Sequence, residues 1–495
     1  MPVARVAVIG AGIGGLVAAL ALAARGLDVT IFERAAAPGG KMRLVPAGRT
    51  PIDGGPTVFT MRWVFEEIFA EAGARLADRV GLAPLDILAR HAWSAEETLD
   101  LFADRERSAD AIGRFAGLAD ARGYLDFCAR ARRVYQALER PFIAAGRPSP
   151  LGLTRALGFA GTRDLLAGSP FATLWDALAR DFRDPRLRQL FGRYATYVGA
   201  SPFACPATLM LIAHVEQEGV WRVEGGMHAL AQAVLALAQS KGARIRYGAH
   251  VSEIRIERGR AAGLTLEGGE RIDAGLVVCN ADTAALATGR FGAGVRRAAP
   301  KPGERSLSAI TWAAYARGAG FPLVRHNVFF SRDYKAEFDA IFGRSALPAE
   351  PTTYVCAQDR DDDGGAPRAA ERLLFLVNAP ATGDKAPPGA KEIDECNARM
   401  RQLLARCGLS VEFDPAATIA TGPGEFEALF PATGGALYGP ASHGWMASFK
   451  RPGAASPIPG LFLAGGSAHP GAGVPMAAMS GRLAAAAAMD SLAST

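Results

Sequence analysis

Gly10, Gly12 and Gly15 stand in the order G-x-G-x-x-G directly after the apolar run 3–9, and Glu33 closes the next apolar run, 29–32. A turn of this kind can hold a pyrophosphate. The first glycine permits the tight bend, the second lets the backbone approach the anion, and the third lets a helix pack on the strand. The unpaired N–H groups of the helix that follows face the same anion, and an acid about 20 residues further on can take a ribose diol. A glycine fingerprint alone is a weak signal. Here strand, turn, Ala/Leu-rich helix (16–24), second strand and terminal acid arrive in the order of a dinucleotide-binding βαβ unit. The other chain end repeats the logic: an apolar run from 461, Gly465, Gly466 and Gly473, then a helix over about 475–491 that Pro475 can begin without losing a hydrogen bond. A nicotinamide cofactor is bound and released through one βαβ fold, whereas a flavin dinucleotide is wrapped by distant segments, so two separated sites favour FAD over NAD.

Residues 6–24, which include the first turn, contain no charge and follow Arg5, as an export signal would. Four glycines inside that stretch would break the apolar helix such a signal needs, so it is taken as folded protein. Helical, apolar sequence runs from about 61 to 220, punctuated by prolines. Short strands follow at 244–247, 251–257 and 262–266, closing on 274–280, and β-type runs recur between 306 and 377. The expected architecture is α/β: a Rossmann-type FAD-binding domain built from both chain ends, a mixed α+β substrate domain and an apolar helical insertion. The expected segments are 1–80 (FAD-binding), 81–220 (helical, substrate or membrane), 221–300 (FAD-binding), 301–420 (substrate sheet) and 421–495 (FAD-binding).

At 495 residues the chain exceeds one core, and its 49% hydrophobic content and mean hydropathy of +0.10 are high for a soluble protein. The longest other uncharged stretch, 460–481, is interrupted by Pro470 and Pro475, so the apolarity points to a lipophilic cavity, a membrane-resting patch, or simply a generous Ala-rich core. The net charge of +6 is scattered, with no basic run interleaved with aromatics, which does not support nucleic-acid binding and suits an anionic membrane surface. Six cysteines without a C-x-x-C pair indicate neither a zinc site nor a disulfide framework, as expected of a cytosol-facing chain. The acidic run 361–363 reads as a solvated loop, and no metal site is expected.

Further motifs carry a resemblance. Gly39-Gly40, the run 53–57 (Asp-Gly-Gly-Pro-Thr), the segment 202–207, Gly225-Gly226, the run 280–282 (Asn-Ala-Asp) and the run 469–475 (His-Pro-Gly-Ala-Gly-Val-Pro) join the two glycine turns. In these the chain resembles, over nearly its whole length, the bacterial carotenoid desaturases of the phytoene-desaturase type. Segments 193–197, 211–216 and 443–449 resemble the branch that desaturates acyclic 1-hydroxy- or 1-methoxycarotenoids at the 3,4 bond. The resemblance implies FAD contacts at Gly10, Gly12, Ile13, Gly14, Gly15, Glu33 and Arg34. It extends them to Gly40, Lys41, Gly55, Pro56, Thr57 and Val251, and to Gly465, Gly466, Gly473, Val474 and Met476. It implies a lipophilic carotenoid substrate, oxygen or a quinone as electron acceptor, and a cytoplasmic protein attached peripherally to the inner or an intracytoplasmic membrane. Ser467-Ala468 depart from the Gly-Thr common before the His-Pro, and Lys41 replaces a common Arg, keeping charge without the planar fork. The C-terminal turn lacks the acid usual in amine-oxidase cousins, which favours hydrocarbons over amines. Alternatives are desaturation of phytoene or neurosporene, carotenoid isomerisation, amine oxidation, and passive flavin or carotenoid binding.

Removing hydride and proton from neighbouring carbons beside a polyene asks little of side chains, because the conjugated chain stabilises the developing allylic cation. His469 is the candidate for proton handling; the blander role is a backbone-bonded histidine holding its turn. Arg193 and Tyr194 are candidates to bond a terminal hydroxyl or methoxy group. Aromatics at 191, 194 and 197 have a spacing more typical of core, and His214 and Glu216 read as polar partners at a helix end.

Overall fold

The computed structural model describes residues 4–146, 148–167, 169–360, 367 and 369–494. The acidic run 361–363, expected as a solvated loop, lies outside them. The N-terminal apolar run forms strand β1 (Arg5–Ile9), followed by helix α1 (Ile13–Ala23) and strand β2 (Asp28–Phe32). β1 and β2 enter a five-stranded parallel sheet in the order Leu461–Leu463, Leu276–Cys279, β1, β2, Arg244–Arg246. Numbered along the chain this is 3-2-1-4-5 read from the other edge, and the order reverses between β1 and Leu276–Cys279. A doubly wound sheet opens its ligand crevice at that switch point.

Strands covered on both faces read as unbroken apolar runs, which is why Leu276–Cys279 is buried at every residue. Each fully buried valine there contributes about 1.5–3 kcal/mol. α1 is apolar nearly all round and accordingly buried, packed between Val474–Ala493 and Met227–Ser240. Its approach to Val474–Ala493 depends on glycine: a Cβ at Gly481 would lie 2.1 Å from the carbonyl oxygen of Gly14. An antiparallel three-stranded sheet, Val251–Glu257, Arg260–Leu266 and Arg271–Asp273, stands beside the nucleotide sheet.

The second large element is an eight-stranded sheet. Its path runs Ser410–Glu412, Ser308–Ala319, Glu371–Ala379, Thr353–Ala357, His326–Phe329, Ile87–Ala92, Thr98–Phe102, with Thr418–Thr421 also paired to Ser308–Ala319. Two of these strands correct the expectation of a helical segment from 81 onward. Ile87–Ala92 pairs in parallel with His326–Phe329 and in antiparallel with Thr98–Phe102. Its burial is nearly continuous, so no alternation marks it as a strand, and only the distant partner selects that state. The helices between Arg105 and Gln217 gather instead around an aromatic core of Tyr124, Phe127, Phe182 and Phe191.

Candidate nucleotide crevice and apolar cavity

β1 runs into Gly10, whose φ of +90° disfavours any side chain, and Gly12 is the N-cap of α1. Gly10, Gly12, Ile13 and Gly14 line a cavity, where the first N–H groups of α1, lacking partners within the helix, are available to an anion. Gly15 lies behind the turn, where a Cβ would sit 2.1 Å from the Gly10 carbonyl oxygen, and serves the helix-on-strand packing. The Asn280 side chain plugs the switch point: a Cβ at Gly12 would be 2.7 Å from its Nδ2, and one at Gly14 2.6 Å from its Oδ1. Glu33 is buried at the cavity wall, accepting from the backbone N–H of Ala11 at 2.6 Å and of Ala35 at 2.8 Å. Each carboxylate oxygen keeps a lone pair for a diol.

The C-terminal turn meets the N-terminal one directly, since a Cβ at Gly14 would also lie 2.8 Å from the Gly465 nitrogen. Gly465 N–H donates to Ser480 Oγ at 2.6 Å, and Arg451 holds the turn from beneath, donating to the carbonyl oxygens of Gly466 at 2.8 Å, Pro440 at 3.0 Å and Tyr438 at 3.1 Å. Burial lowers the Arg451 pKa to about 10, against a raising influence of Asp282. Lys41, likewise lowered by burial, donates to the Leu437 carbonyl and lies 5.2 Å from the centre of the Phe430 ring. Gly473, at φ +108°, starts the helix Val474–Ala493; a Cβ there would meet nothing nearer than Met476 Cγ at 3.9 Å. The backbone is thus left bare toward open room. Bare glycine turns from both ends, a helix N-terminus and a buried acid form a donor set that fits a dinucleotide.

Of the remaining residues singled out in the sequence, Arg34, Gly40, Lys41, Gly55, Pro56 and Thr57 line the cavity, as do Val251, Gly465, Gly466, Gly473, Val474 and Met476. Arg34 also donates to the carbonyls of Ala428, at 2.7 Å, and Leu429. Asp53, in the motif that precedes Thr57, caps another helix. Its carboxylate accepts from the N–H groups of Met227 at 3.1 Å and His228 at 3.0 Å, at the start of Met227–Ser240. Burial raises its pKa, opposed by those two hydrogen bonds.

From the crevice the cavity, about 1020 Å³, continues between apolar walls that include Phe142, Ile143, Leu209, Ile212, Leu374 and Phe449. Its rim carries Phe171, 71% exposed, edge-on to Trp445, 49% exposed, at a ring separation of 5.6 Å. His469 does not reach this wall. Only 1% exposed, it bonds through Nε2 to the Phe142 carbonyl at 2.9 Å, and burial lowers its pKa to about 4. It is therefore a neutral tie between its turn and the segment Glu139–Ile143.

Polar groups interrupt the apolar wall in one region. Arg193 lines the cavity; Tyr194 stands behind it, donating to Glu216 Oε2 at 2.6 Å, while Tyr197, a cavity residue, donates to Glu216 Oε1. The tight turn Arg193–Val198 is a 3₁₀ helix, in which residues three apart eclipse, so both tyrosines converge on one carboxylate. Burial raises both tyrosine pKa values, and the Glu216 charge adds to it. Nearby, Thr57 Oγ1, Tyr354 OH and His326 Nδ1 form a chain with steps of 2.6 and 2.7 Å. Burial, with the charges of Arg325 and Arg193, lowers the His326 pKa well below its usual value and keeps the ring neutral. In the sequence, the spacing of Tyr197 sets it among core aromatics, and Tyr354, His326 and Arg451 carry no signal. The three-residue interval from Tyr194 to Tyr197 was the visible clue for Tyr197.

The family model described as flavin containing amine oxidoreductase matches residues 13–489. A hydroxyneurosporene desaturase of Rubrivivax gelatinosus is 56% identical, over 99% of this chain and 94% of that protein. The protein of that name from Cereibacter sphaeroides is 46% identical, over 99% of each chain. Among solved structures, cyclohexylamine oxidase from Brevibacterium oxydans aligns with a TM-score of 0.55 at 17% identity, over 99% of this chain and 100% of that one, a likeness of fold.

Proposed function

The chain belongs to the flavin-containing amine oxidoreductase family, in its carotenoid desaturase branch, and on that footing we propose that it introduces a 3,4 double bond into acyclic 1-hydroxy- or 1-methoxycarotenoids. It is an FAD-dependent oxidoreductase. The observation that carries the substrate class is the continuity of the nucleotide crevice with an apolar cavity of about 1020 Å³. When bound, FAD supplies the hydride acceptor. The chain's own contribution is placement. The glycine turns, α1 and Glu33 would hold the dinucleotide, and the apolar walls would lay a rod-shaped polyene beside it, which fills the cavity and displaces water from the reacting carbons. Hydride and proton leave adjacent carbons, and both hydrogens would end on the acceptor, giving hydrogen peroxide from oxygen or a quinol from a quinone.

The rim supports peripheral attachment to a membrane. Phe171 and Trp445 are both exposed and part of the cavity wall, and Leu151, 62% exposed, lies beside the cavity-lining Pro150. A lipophilic substrate would enter there from the bilayer without crossing water. No helix among the described residues is long and apolar enough to cross a membrane.

The test is direct. The purified chain carries non-covalent FAD and, in liposomes, converts a 1-hydroxylated acyclic carotenoid to a product with one more conjugated double bond, seen as a red-shifted absorption spectrum. Unchanged pigment with FAD bound would refute the reading.

A further inference from the structure

An apolar tunnel has a weakness as a site for selective chemistry. Contacts between a polyene and aliphatic walls are non-directional, so sliding the rod lengthwise costs little and several bonds can come to rest at the reactive position. A directional contact at a fixed place would remove that freedom.

Arg193 has the features of one. It is 9% exposed and lines the cavity, yet its side-chain bonding is almost unused: Nη2 approaches Tyr197 OH at 3.5 Å, and Nε has no partner. Its natural counter-ion, Glu216, has each oxygen accepting from a tyrosine hydroxyl. Among the described residues, it is the one cavity-lining residue with a buried side-chain polar atom left unpaired. Thr57 and Tyr354, polar residues of the same wall, are by contrast bonded to each other at 2.6 Å. Buried donors are nearly always satisfied, and a guanidinium has five N–H groups and can only donate. An oxygen acceptor arriving through the cavity is what this arrangement lacks.

Building on the function proposed above, we infer that Arg193, assisted by Tyr197, binds the terminal oxygen of the carotenoid and thereby sets which carbon–carbon bond is presented for oxidation. The hydroxyl-bearing C1 and the reacting C3 are two bonds apart, so such an anchor must lie on the cofactor side of the cavity. The polar chain ties the anchor to that side: Arg193 lies close enough to His326, and Tyr197 to Tyr354, for their charges to act on those groups, and His326, bonded to Tyr354, leads to Thr57, next to the cofactor-lining Gly55 and Pro56. A methoxy oxygen can accept from Arg193 as a hydroxyl does. An unoxygenated end group cannot, and leaves the guanidinium unpaired as before.

The experiment uses the full-length chain with FAD in liposomes. It compares kcat/KM for a 1-hydroxylated acyclic carotenoid, its methyl ether and the parent hydrocarbon. In wild type both oxygenated substrates exceed the hydrocarbon. In Arg193→Met the ratio of hydroxylated to hydrocarbon substrate falls roughly 10–100-fold, chiefly through KM, and double bonds appear at positions other than 3,4. FAD absorbance per chain reports an intact fold. An unchanged ratio in an FAD-loaded Arg193→Met protein overturns the anchor. Should that variant lose FAD, Tyr197→Phe keeps the ring and removes the hydroxyl, with a smaller drop in the ratio expected and an unchanged ratio again overturning it. Wild type that oxidises no carotenoid refutes the proposed function; wild type that oxidises all three equally refutes the anchor alone.

Discussion

His469 illustrates how position in a motif and position in a site can differ. It sits in the turn between Gly466 and Gly473, but its ring is bonded to the Phe142 carbonyl and has no access to the cavity. His469→Ala is therefore expected to keep turnover within about tenfold of wild type when normalised to bound FAD, less than the ~10²–10⁴ that a general acid or base supplies. Single-turnover flavin reduction measures it. The same burial has a pH signature. The native ring titrates at about 4, the unfolded one near about 6.5, so the unfolded chain binds the extra proton between those values. Its contribution to stability accordingly falls as pH drops through that window and is unaffected above it, by about 1.4 kcal/mol per pH unit at most. In His469→Ala the dependence of unfolding free energy on pH becomes shallower by that amount between about pH 4 and 6.5, which denaturant titrations across that range will show.

Among elements, the two glycine turns and their helices were legible because their geometry is written locally: a strand, a bend that only glycine accepts, and a helix start lie within a few residues of one another. Gly473 is the clearest case. Gly473→Val would have to hold a β-branched residue at φ +108° while projecting it into the room left for the cofactor. The expected result is a colourless protein with less than a tenth of wild-type FAD, read from absorbance after desalting, and the idea fails if normal yellow protein is recovered. Elements defined by distant partners were not legible. Ile87–Ala92 could not be recognised before His326–Phe329 was known to lie beside it, and Tyr354 and His326, on paired strands, reach Thr57 only through side-chain hydrogen bonds that the folded sheet creates. Asp53 shows a third case: its motif was conspicuous, but its task is to cap Met227–Ser240 from far away in the chain.

For the whole molecule, the exposed rim places the entrance and the adhesive surface in one spot. A Phe171→Ser, Trp445→Ser protein should sediment with liposomes at least tenfold less well than wild type, since each ring forfeits about 1.5–3 kcal/mol of burial in lipid. Its FAD content should not change. Equal sedimentation would move the membrane contact elsewhere. The nucleotide sheet has a consequence in time as well as in space. Its middle strands, β1 and Leu276–Cys279, come from early and central parts of the chain, but Leu461–Leu463 and the turn at Gly465 come nearly last. At roughly 5–20 residues per second a ribosome delivers that final strand tens of seconds after β1. Until then the half-built crevice lacks one wall and apolar faces of α1 and Leu276–Cys279 stand uncovered. During synthesis the protein is an aggregation hazard that only its own last segment ends, and the cell can acquire a cofactor-loaded enzyme only after translation of that segment is complete.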